Sequence, residues 1–589
     1  MKRQCLTVAN KSDVFQRLVG LETEYALHIA PSAGQRVSRY GLFRDLLLAL
    51  RKKLPTARAR HMKEGVFHAA GGAVWFETER PATGGGLIEG STPECRSPLA
   101  VIAWQRAQDE LLSEAAEDAF GGGVRLVKND RDADGNVYGA QESYEAVLAS
   151  GWRLRMWRIF LVFLAPLALA TWLALWLLDR LVTTYVLAAT VLYLAVERLL
   201  PRPERLARLL FGCSVKELET DIPTGPVWLE AFLTLVTRLV TAPLAILMLA
   251  ALRLTAFTRV RRQMLPFLAS RSIIAGAGMI DDNGRYQISD KGPSINCAAG
   301  LGLWGERSVF ALGNFLKAIN ADIGLVFTEY RQLFSARQRL QIAAGDSNMA
   351  ELAEYLRVGT TMLVLDCIEA GEMPPVPRLL RPIRALRAIG ADATLTACVP
   401  LAGGKSATAL ELQRFYLEAC RRFLARRPNA PVEAREVFHR WETTLDVLED
   451  DPQSLVGSID WVTKQFVLDK AGRRASWEAR KKIDIRYHEL SPQGYFERLK
   501  MTGIVLELLS RSEIDHARRN PPAGTPAAAR GRYIREFSVD EHELSVNWRY
   551  VFLAREGKTR VIRLDGRGGA KPISKTQPKK TSRRHDAGS

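Results

Sequence analysis

The sequence predicts an α+β protein that is interrupted by a membrane insert. Strand-like alternation is concentrated before residue 150, and helical periodicity dominates after residue 263. Between these parts, residues 159–178 contain no charged side chain, which is the length of a membrane-crossing helix. Apolar residues make up 47% and charged residues 25% of the chain, so a wholly disordered or fibrous protein is excluded.

The length of the chain limits the number of domains, and its cysteines indicate the redox compartment. At about 150 residues per domain, 589 residues allow two to four domains. The 7 cysteines are scattered without a C-x-x-C pair, which argues against a disulfide framework or a cysteine zinc site and favours a reducing compartment. The first residues lack an apolar run and are not typical of a secretory signal.

The insert is predicted to be a transmembrane helical hairpin over about residues 159–197. Asp179 and Arg180 separate two apolar runs, so we expect the turn there. A third apolar helix, over about 227–252, contains Glu230 and Arg238, and charges near a helix centre are costly in lipid. It could be interfacial, re-entrant or a second short hairpin, so both two and four crossings are possible.

The flanks of the insert are basic. Arginines lie in 152–158, in 197–210 and in 259–262. Because cytoplasmic flanks carry an excess of Lys and Arg, we expect the soluble domains to face the cytoplasm from the cytoplasmic membrane. Anionic lipid is then a partner for part of the net charge of +18. The sequence has no aromatic-interleaved basic patch, so no nucleic acid partner is expected.

The soluble parts divide by periodicity. Strands are predicted over 15–30, 71–79 and 124–128, and helices over 40–53 and 97–117 in the first half. Helices are predicted over 352–369, 407–427, 434–448 and 459–468 in the second half. Residues 566–589 are basic and poor in apolar side chains, so a disordered tail is expected.

Acidic residues in strands and glycine-rich turns are the first functional candidates. Glu22 and Glu24 are two apart on one strand and therefore leave the same face. Glu89, Glu94, Glu142 and Asp346 also lie in or beside strands or turns. Converging carboxylates suit Mg²⁺ and its phosphate ligands. Each of these residues taken alone is more typical of a solvated glutamate or aspartate on the surface. The sequence lacks the Walker A and G-x-G-x-x-G patterns, so P-loop and Rossmann chemistry is not supported.

Several segments resemble the signature blocks of the Pup ligase and Pup deamidase/depupylase family. They occur in the family's order and include GLETEY (20–25), EGSTPEC (89–95), VKNDRDADGNVYGAQESY (127–144), GDSNMAELAEYLRVGTTMLVLDCIE (345–369) and LAGGKSATALELQRFY (401–416). The short segment between Tyr25 and Gly71 and the 401–416 block are more similar to the ligases than to the depupylases.

The resemblance implies a glutamine-synthetase-like large domain with an antiparallel sheet and packed helices, and a small C-terminal domain. The large domain would comprise 14–150 and 263–490, with the membrane insert at 151–262, the C-terminal domain at 491–565 and the tail at 566–589. The implied reaction is ATP-dependent formation of an isopeptide bond between the terminal glutamate of a Pup-like modifier and a substrate lysine.

The resemblance assigns a role to each residue of this chain that matches a functional position in the family's motifs. The resemblance implies that Glu22, Glu89 and Glu142 bind Mg²⁺. It also implies that Thr92, Trp548 and Arg530 contact ATP.

The chain departs from the family on the strand that carries the catalytic aspartate. There the family has N-G-A-R-x-Y-x-D, whereas this chain reads GGAVWFET, so Val74, Phe76 and Thr78 replace the arginine, the tyrosine and the aspartate. Gln141 replaces a family histidine. Threonine cannot act as a carboxylate base, so Glu77 or Glu79 would have to compensate.

Three functions therefore stay open from the sequence. The first is a membrane-anchored ATP-dependent ligase for a Pup-like modifier. The second is a pseudoenzyme or scaffold of the same family that has lost turnover. The third is a depupylase, a deamidase or an amidoligase that acts on another tag or on a small molecule. A channel is not expected, because the insert is too small to surround a path.

Overall fold

The computed structural model describes residues 14–30, 38–60, 63–78, 85–133, 135–197, 203–213, 226–319, 325–472, 475–538, 543–555 and 558–572. Its main feature is one mixed sheet of 14 strands, beside two separate sheets of two strands each. The strands are β1 (Val19–Ile29), β2 (Thr56–Ala59), β3 (Gly65–His68), β4 (Ala73–Glu77), β5 (Leu87–Ser91), β6 (Val124–Val127), β7 (Ala140–Val147), β8 (Met279–Ile280), β9 (Tyr286–Gln287), β10 (Cys297–Gly300), β11 (Ser308–Ala311), β12 (Arg337–Gly345), β13 (Val399–Pro400), β14 (Ser406–Ala407), β15 (Leu544–Val546), β16 (Tyr550–Arg555), β17 (Lys558–Leu564) and β18 (Ala570–Pro572).

Helices cover one face of this sheet and form the insert. They are α1 (Arg39–Lys53), α2 (Pro98–Phe120), α3 (Gly151–Val196), α4 (Pro203–Phe211), α5 (Val227–Leu254), α6 (Thr258–Ser270), α7 (Ser272–Ala275), α8 (Asn314–Lys317), α9 (Val326–Gln332), α10 (Glu351–Glu369), α11 (Pro382–Gly390), α12 (Ala409–Ala425), α13 (Val432–Asp450), α14 (Asp460–Lys470), α15 (Trp477–Tyr487), α16 (Tyr495–Met501), α17 (Arg511–Arg519) and α18 (Pro526–Phe537). The predicted strands and helices of the soluble parts are confirmed, with shifted ends.

The strand order is β10-β11-β12-β7-β1-β5-β4-β3-β2-β15-β16-β17-β18, with β6 paired to one end of β1. Most neighbours are antiparallel, as expected, but β10 with β11 and β2 with β15 are parallel. Because β15 pairs with β2, the C-terminal strands extend the same sheet. The tail predicted at 566–589 begins too early, since β18 pairs with β17, and 573–589 lie outside the described residues.

Strand β1 separates two faces of the sheet by strict alternation. Leu21, Thr23 and Tyr25 are buried, and α2 covers them, with the Tyr25 hydroxyl donating to Asp109 at 2.7 Å. Glu22 and Glu24 point to the other face, as residues two apart on a strand must. The hydrophobic face of β1 therefore fixes which side of the sheet presents carboxylates.

The sheet is strongly curved. Helix α9, which precedes β12, contacts β16 through a hydrogen bond that the Tyr550 hydroxyl donates to Glu329, and Glu329 also pairs at 2.6 Å with Arg549, the residue before β16. Eight strand steps separate β12 from β16 in the sheet, which is about 38 Å if flat, whereas α9 is only about 10 Å long. Curvature must therefore bring the two ends of the sheet together.

The expected turn at Asp179 is wrong. The described α3 is a single helix of 46 residues, and Asp179 lies in its interior with Thr183 donating to its carbonyl. An exposed Asp–Arg pair without glycine or proline does not end a helix. The partner of α3 is instead α5: the first turns of α3 (Trp157) and the last turns of α5 (Leu252) are both buried in the core, so the two helices run in opposite directions.

These two helices are long and apolar enough to cross a membrane. Mean hydropathy reaches 2.2 in α3 and 2.1 in α5, and only 22% and 33% of those windows are buried within the protein. Composition and length alone do not establish insertion, because a buried core helix meets the same criteria.

Candidate active site

Four carboxylates converge on the face of the sheet that lies opposite to α2. Glu24 on β1 lies directly opposite Glu89 on β5, and Glu22 lies opposite Ser91. On the far side of β5, Trp75 lies opposite Glu89, so Glu77, two residues further along β4, shares that face. The sequence prediction that Glu22 and Glu89 approach each other is met, since diagonal neighbours on adjacent strands are about 7–8 Å apart.

Two basic side chains from distant segments neutralise this cluster. The Lys63 ammonium lies 2.6 Å from a carboxylate oxygen of Glu89 and also forms an ion pair with Glu77. The Arg339 guanidinium forms an ion pair with Glu22, whose other oxygen accepts a hydrogen bond from Gln341 at 3.1 Å. Each of these three carboxylates therefore has a partner within the chain.

The pKa values reflect burial and crowding of like charge. Burial, together with the neighbouring carboxylates Glu22, Glu77 and Glu24, raises the pKa of Glu89 to about 8 against the opposing effect of Lys63. Burial and Glu77 also raise the pKa of Glu24. Burial acts to raise the pKa of Glu22, but Arg339, followed by Lys317 and Lys63, holds it below its ordinary value.

Glu22 and Glu89, two of the expected magnesium ligands, are ion-paired in this arrangement. The all-oxygen donor set suits a hard cation, yet Lys63 and Arg339 hold the oxygens that would coordinate it. Within the described ranges, no group of three or more His, Cys, Asp or Glu side chains is placed to hold a metal ion. In this arrangement Lys63 and Arg339 therefore neutralise the carboxylates that were expected to bind the metal.

Glu142 is not part of the cluster. It pairs with Leu21, which puts it on the helix-covered face of the sheet, opposite to Glu22. There the carboxylate is fully buried and forms two hydrogen bonds with Arg271, at 2.6 and 2.9 Å, and a third with the Tyr144 hydroxyl. Its expected role as a metal ligand is replaced by that of a buried ion pair, and the neighbouring Gln141 is the residue on the cluster face.

The strand that replaces the family's catalytic strand presents its odd-numbered residues to the cluster. Phe76 points to the helix layer, with its ring 5.5 Å from those of Tyr40 and Phe43. Val74 shares that face, and Thr78 follows the end of β4. Glu77 is therefore the acidic residue of β4 that reaches the cluster, and Glu79 lies outside the described residues.

The three residues expected to contact the nucleotide, Thr92, Arg530 and Trp548, contact other residues of the chain. The buried Thr92 hydroxyl accepts a hydrogen bond from the Leu21 amide at 2.9 Å. The Arg530 guanidinium is fully buried, and it bonds Glu94 at 2.6 and 3.2 Å and the Gly71 carbonyl at 2.6 Å. Trp548 packs edge-to-face on Phe67 at 4.9 Å. The structure therefore places Arg530 in a position where it supports Trp548 and β3, with no donor turned to the cluster in any described contact.

Sequence reasoning missed Lys63, Arg339 and Lys317. Lys63 lies between β2 and β3 in a segment without a recognisable pattern. Arg339 could have been found, because Arg337, Arg339 and Gln341 alternate along β12, and alternating polar residues indicate one exposed face. Lys317 ends the short helix α8, and only the tertiary structure brings it near Glu22.

Comparison with known proteins gives one consistent family. The Pup-ligase protein family matches residues 17–552. A Pup--protein ligase of Corynebacterium jeikeium is 26% identical over 570 residues, which are 93% of this chain and 95% of that protein. A depupylase of Acidothermus cellulolyticus is 31% identical over 350 residues, which are 56% of this chain and 64% of that protein. The chain thus spans slightly less than two thirds of the length of that depupylase.

Solved structures agree on the fold. The crystal structure of the complex between the prokaryotic ubiquitin-like protein Pup and its ligase PafA matches with a TM-score of 0.63 at 21% identity. The match covers 94% of this chain and 90% of that chain. A structure of PafA in complex with ADP matches with a TM-score of 0.57.

Proposed function

Because this chain belongs to the Pup-ligase protein family, we propose that it is an ATP-dependent ligase that joins the terminal carboxylate of a Pup-like modifier to a lysine amine of a target protein. The family match over 17–552 and the near-complete alignment with a Pup--protein ligase support the class. The observation that carries the proposal is the convergence of Glu22, Glu24, Glu77 and Glu89 on one face of the sheet.

The proposed reaction has two steps. The γ-phosphoryl group of ATP passes to the modifier's carboxylate, which gives an acyl phosphate and ADP. The lysine nitrogen then attacks the acyl carbon, the bond to phosphate breaks, and the amine proton passes to a carboxylate. Glu77 is the candidate for this base, because it lies on the cluster face and is partly exposed to solvent, with 26% of its side chain accessible.

A second candidate is a member of the family that binds its partners without turnover. The specific observation in its favour is that Lys63 and Arg339 already hold Glu89, Glu77 and Glu22. In addition, Val74, Phe76 and Thr78 stand where the family has its arginine, tyrosine and aspartate, and the β4 residues on the cluster face are Ala73, Trp75 and Glu77. Such a protein would retain the modifier-binding surface as a scaffold.

The reverse reaction is the third candidate. Depupylases of Acidothermus cellulolyticus and Mycolicibacterium smegmatis are 31% and 32% identical over about half of this chain. Both directions use the same isopeptide bond, so a pupylated substrate must be tested beside the free modifier.

We also propose that α3 and α5 anchor the protein in the cytoplasmic membrane. Twenty residues of α3 without a charge span about 30 Å. Large apolar side chains face outward along this length, among them Phe163, which is 77% exposed, and Val162, Leu173 and Trp176. The helix ends beside the folded domain carry Arg153, Arg155 and Arg158 on α3 and Arg261 and Arg262 after α5, which favours a cytoplasmic domain.

The deciding experiment uses the full chain in lipid nanodiscs. It is supplied with ATP, Mg²⁺, a Pup-like modifier that ends in glutamate, and a lysine-containing acceptor, and ADP and conjugate are measured by mass spectrometry. Conjugate that disappears in a Glu22→Gln variant supports the ligase. Release of modifier from a conjugate supports the reverse reaction, and modifier binding without either product supports the scaffold.

A further inference from the structure

Strand β7 and helix α3 are joined by a short connection that packs into the domain. Strand β7 ends at Val147, and α3 begins at Gly151. Between them Leu148 and Ala149 are buried, and the Leu148 amide donates to the Ala336 carbonyl at 3.2 Å. The connection is therefore part of the packed domain and does not act as a flexible linker between the sheet and the proposed membrane helix.

Two further hydrogen bonds hold the first turns of α3 against the segment that contains α9. The buried Trp157 indole donates to the Leu333 carbonyl at 2.8 Å. The Tyr330 hydroxyl on α9 donates to the Leu161 carbonyl at 2.6 Å. Because Leu161 belongs to the run 159–178, which contains no charge, α9 reaches the level at which α3 is proposed to enter lipid.

The α9 segment leads directly to the carboxylate cluster. The Arg158 guanidinium donates to the Phe334 carbonyl at 3.0 Å. Arg339, five residues further along the chain, forms the ion pair with Glu22. Five residues span at most about 18 Å in a fully extended chain. The backbone at the candidate site therefore lies close to the position of Arg158, which is the last charged residue before the apolar run.

Strand β7 provides a second path from the cluster to the same place. Gln141 lies directly opposite Glu22 on the neighbouring strand β1. From Gln141 to Val147 the strand rises by about 20 Å, and α3 follows after the buried connection. Arg337, which begins β12, lies opposite Val147. Both strands thus run from the cluster to the base of α3, so the distance between the site and the base of α3 is set by the sheet.

We propose that the acceptor lysines of this protein belong to other membrane proteins and lie in cytoplasmic segments next to the bilayer. This substrate class rests on the proposed ligase function and on the proposed anchoring by α3 and α5. The chemistry is the same: the lysine nitrogen attacks the acyl phosphate, phosphate leaves, and the amine proton passes to a carboxylate. The structure adds the position, because a site held near the bilayer favours nucleophiles that are confined to the same membrane.

Confinement to one membrane raises the effective concentration of such a lysine at the site. For reactants joined by a short flexible linker the effective concentration reaches the mM range, and it falls to near zero when the linker cannot span the distance. A Gly/Ser segment of about ten residues has a root-mean-square length of about 16–19 Å. This length matches the extent of chain that separates the base of α3 from the cluster, so a short cytoplasmic segment suffices.

The test uses the full chain in liposomes with ATP, Mg²⁺ and a Pup-like modifier that ends in glutamate. The acceptor carries one lysine at the end of a Gly/Ser spacer on a single transmembrane helix. Its matched control has the same spacer and lysine without the helix, at the same bulk concentration. With a spacer of about ten residues, we expect the anchored acceptor to be conjugated on the order of 100-fold faster. Enzyme and anchored acceptor in separate liposomes should react only as fast as the soluble control.

Variants of α3 test whether anchoring causes the preference. Phe163→Asp combined with Leu173→Asp should remove it, because both substitutions place charge on exposed apolar positions of α3. Val432→Asp, at an 83% exposed position at the start of α13, is the matched control and should keep the preference. The quantity compared is the ratio of the rates on the anchored and the soluble acceptor in each protein, so that a general loss of activity cancels.

The outcomes separate this substrate class from the proposed function. Equal rates on the anchored and the soluble acceptor overturn the substrate class and leave the ligase intact. A rate that is highest with a spacer of about 40 residues, whose root-mean-square length is about 32–38 Å, also overturns it, because the site would then lie further from the bilayer than β12 allows. If neither acceptor is conjugated, the proposed ligase is removed and the substrate class with it.

Discussion

Glu24 and Glu89 lie directly opposite each other on the antiparallel strands β1 and β5. Two carboxylates in this position repel, and the free energy of unfolding is lowered by about 0.2–1 kcal/mol for such a pair. The pair explains part of the raised pKa of Glu89. Strand pairing, which is fixed by the buried residues of β1, thus forces acidic groups together at the candidate site.

Glu24→Gln should stabilise the protein. Glutamine can still accept the hydrogen bond that the Gly139 amide donates to Glu24 at 2.6 Å, while the repulsion disappears. We expect a gain of about 0.2–1 kcal/mol in chemical denaturation, largest above pH 8, where Glu89 is ionised. A loss of stability above that pH would show that the two side chains do not repel.

Glu77→Gln should abolish ligation, whereas Thr78→Val should have little effect. The basis is the alternation of β4, which directs Glu77 to the cluster while Thr78 follows the strand end. Loss of a general base lowers turnover by about 10²–10⁴-fold. Initial rates of conjugate formation measure the effect. If the rate of the Glu77→Gln variant still falls at acidic pH as it does in the unaltered protein, the assignment of Glu77 as the base is contradicted.

Glu142→Gln should destabilise the protein without changing its response to magnesium. Removing one partner of the buried pair with Arg271 leaves an uncompensated charge, which costs about 3–5 kcal/mol. Glu145→Gln, on the same strand but 35% accessible, should change stability by less than about 0.5 kcal/mol. Equal losses in the two variants, measured by denaturant titration, would argue against the buried pair.

His68 should make the protein sensitive to mild acid. Burial, together with the nearby Arg530, lowers the pKa of His68 to about 4 from an ordinary 6.5. Between these values the unfolded chain binds a proton that the folded chain does not, so stability falls as the pH drops from 6.5 towards 4.

His68→Gln should reduce that fall. Melting temperatures are compared at pH 7 and pH 5 for the two proteins, so that a constant cost of the substitution cancels. The same difference in both proteins would show that His68 titrates normally in the folded state.

Phe163→Asp combined with Leu173→Asp should detach the protein from vesicles. Both side chains are exposed on α3 within the run that lacks charge, and an aspartate near a bilayer centre costs about 2.5–3.5 kcal/mol. Flotation with anionic liposomes measures the association. Val432→Asp, at an 83% exposed position at the start of α13, is the control and should still float. Flotation of both variants would contradict membrane insertion through α3.

Sequence periodicity was sufficient to predict the local structure and the faces of the strands. Alternation along β1 placed Glu22 and Glu24 on one side, and helical periodicity located α1, α2, α10, α12 and α13 within a few residues, because both signals depend on neighbours along the chain. The family could also be predicted from the sequence, because segments that resemble the family's motifs occur in the family's order over most of the chain.

The surroundings of those carboxylates depend on contacts between segments that are distant in the chain. Lys63 and Arg339 are separated by more than two hundred residues, and the strand order β12-β7-β1-β5-β4-β3 brings them to Glu89 and Glu22. The same holds for Glu142, whose sequence block suggested a ligand, but whose register opposite Leu21 turns it to Arg271. The turn expected in α3 was wrong because two charged residues were taken as a helix end, although the pair contains no glycine or proline and stays helical when its side chains are exposed.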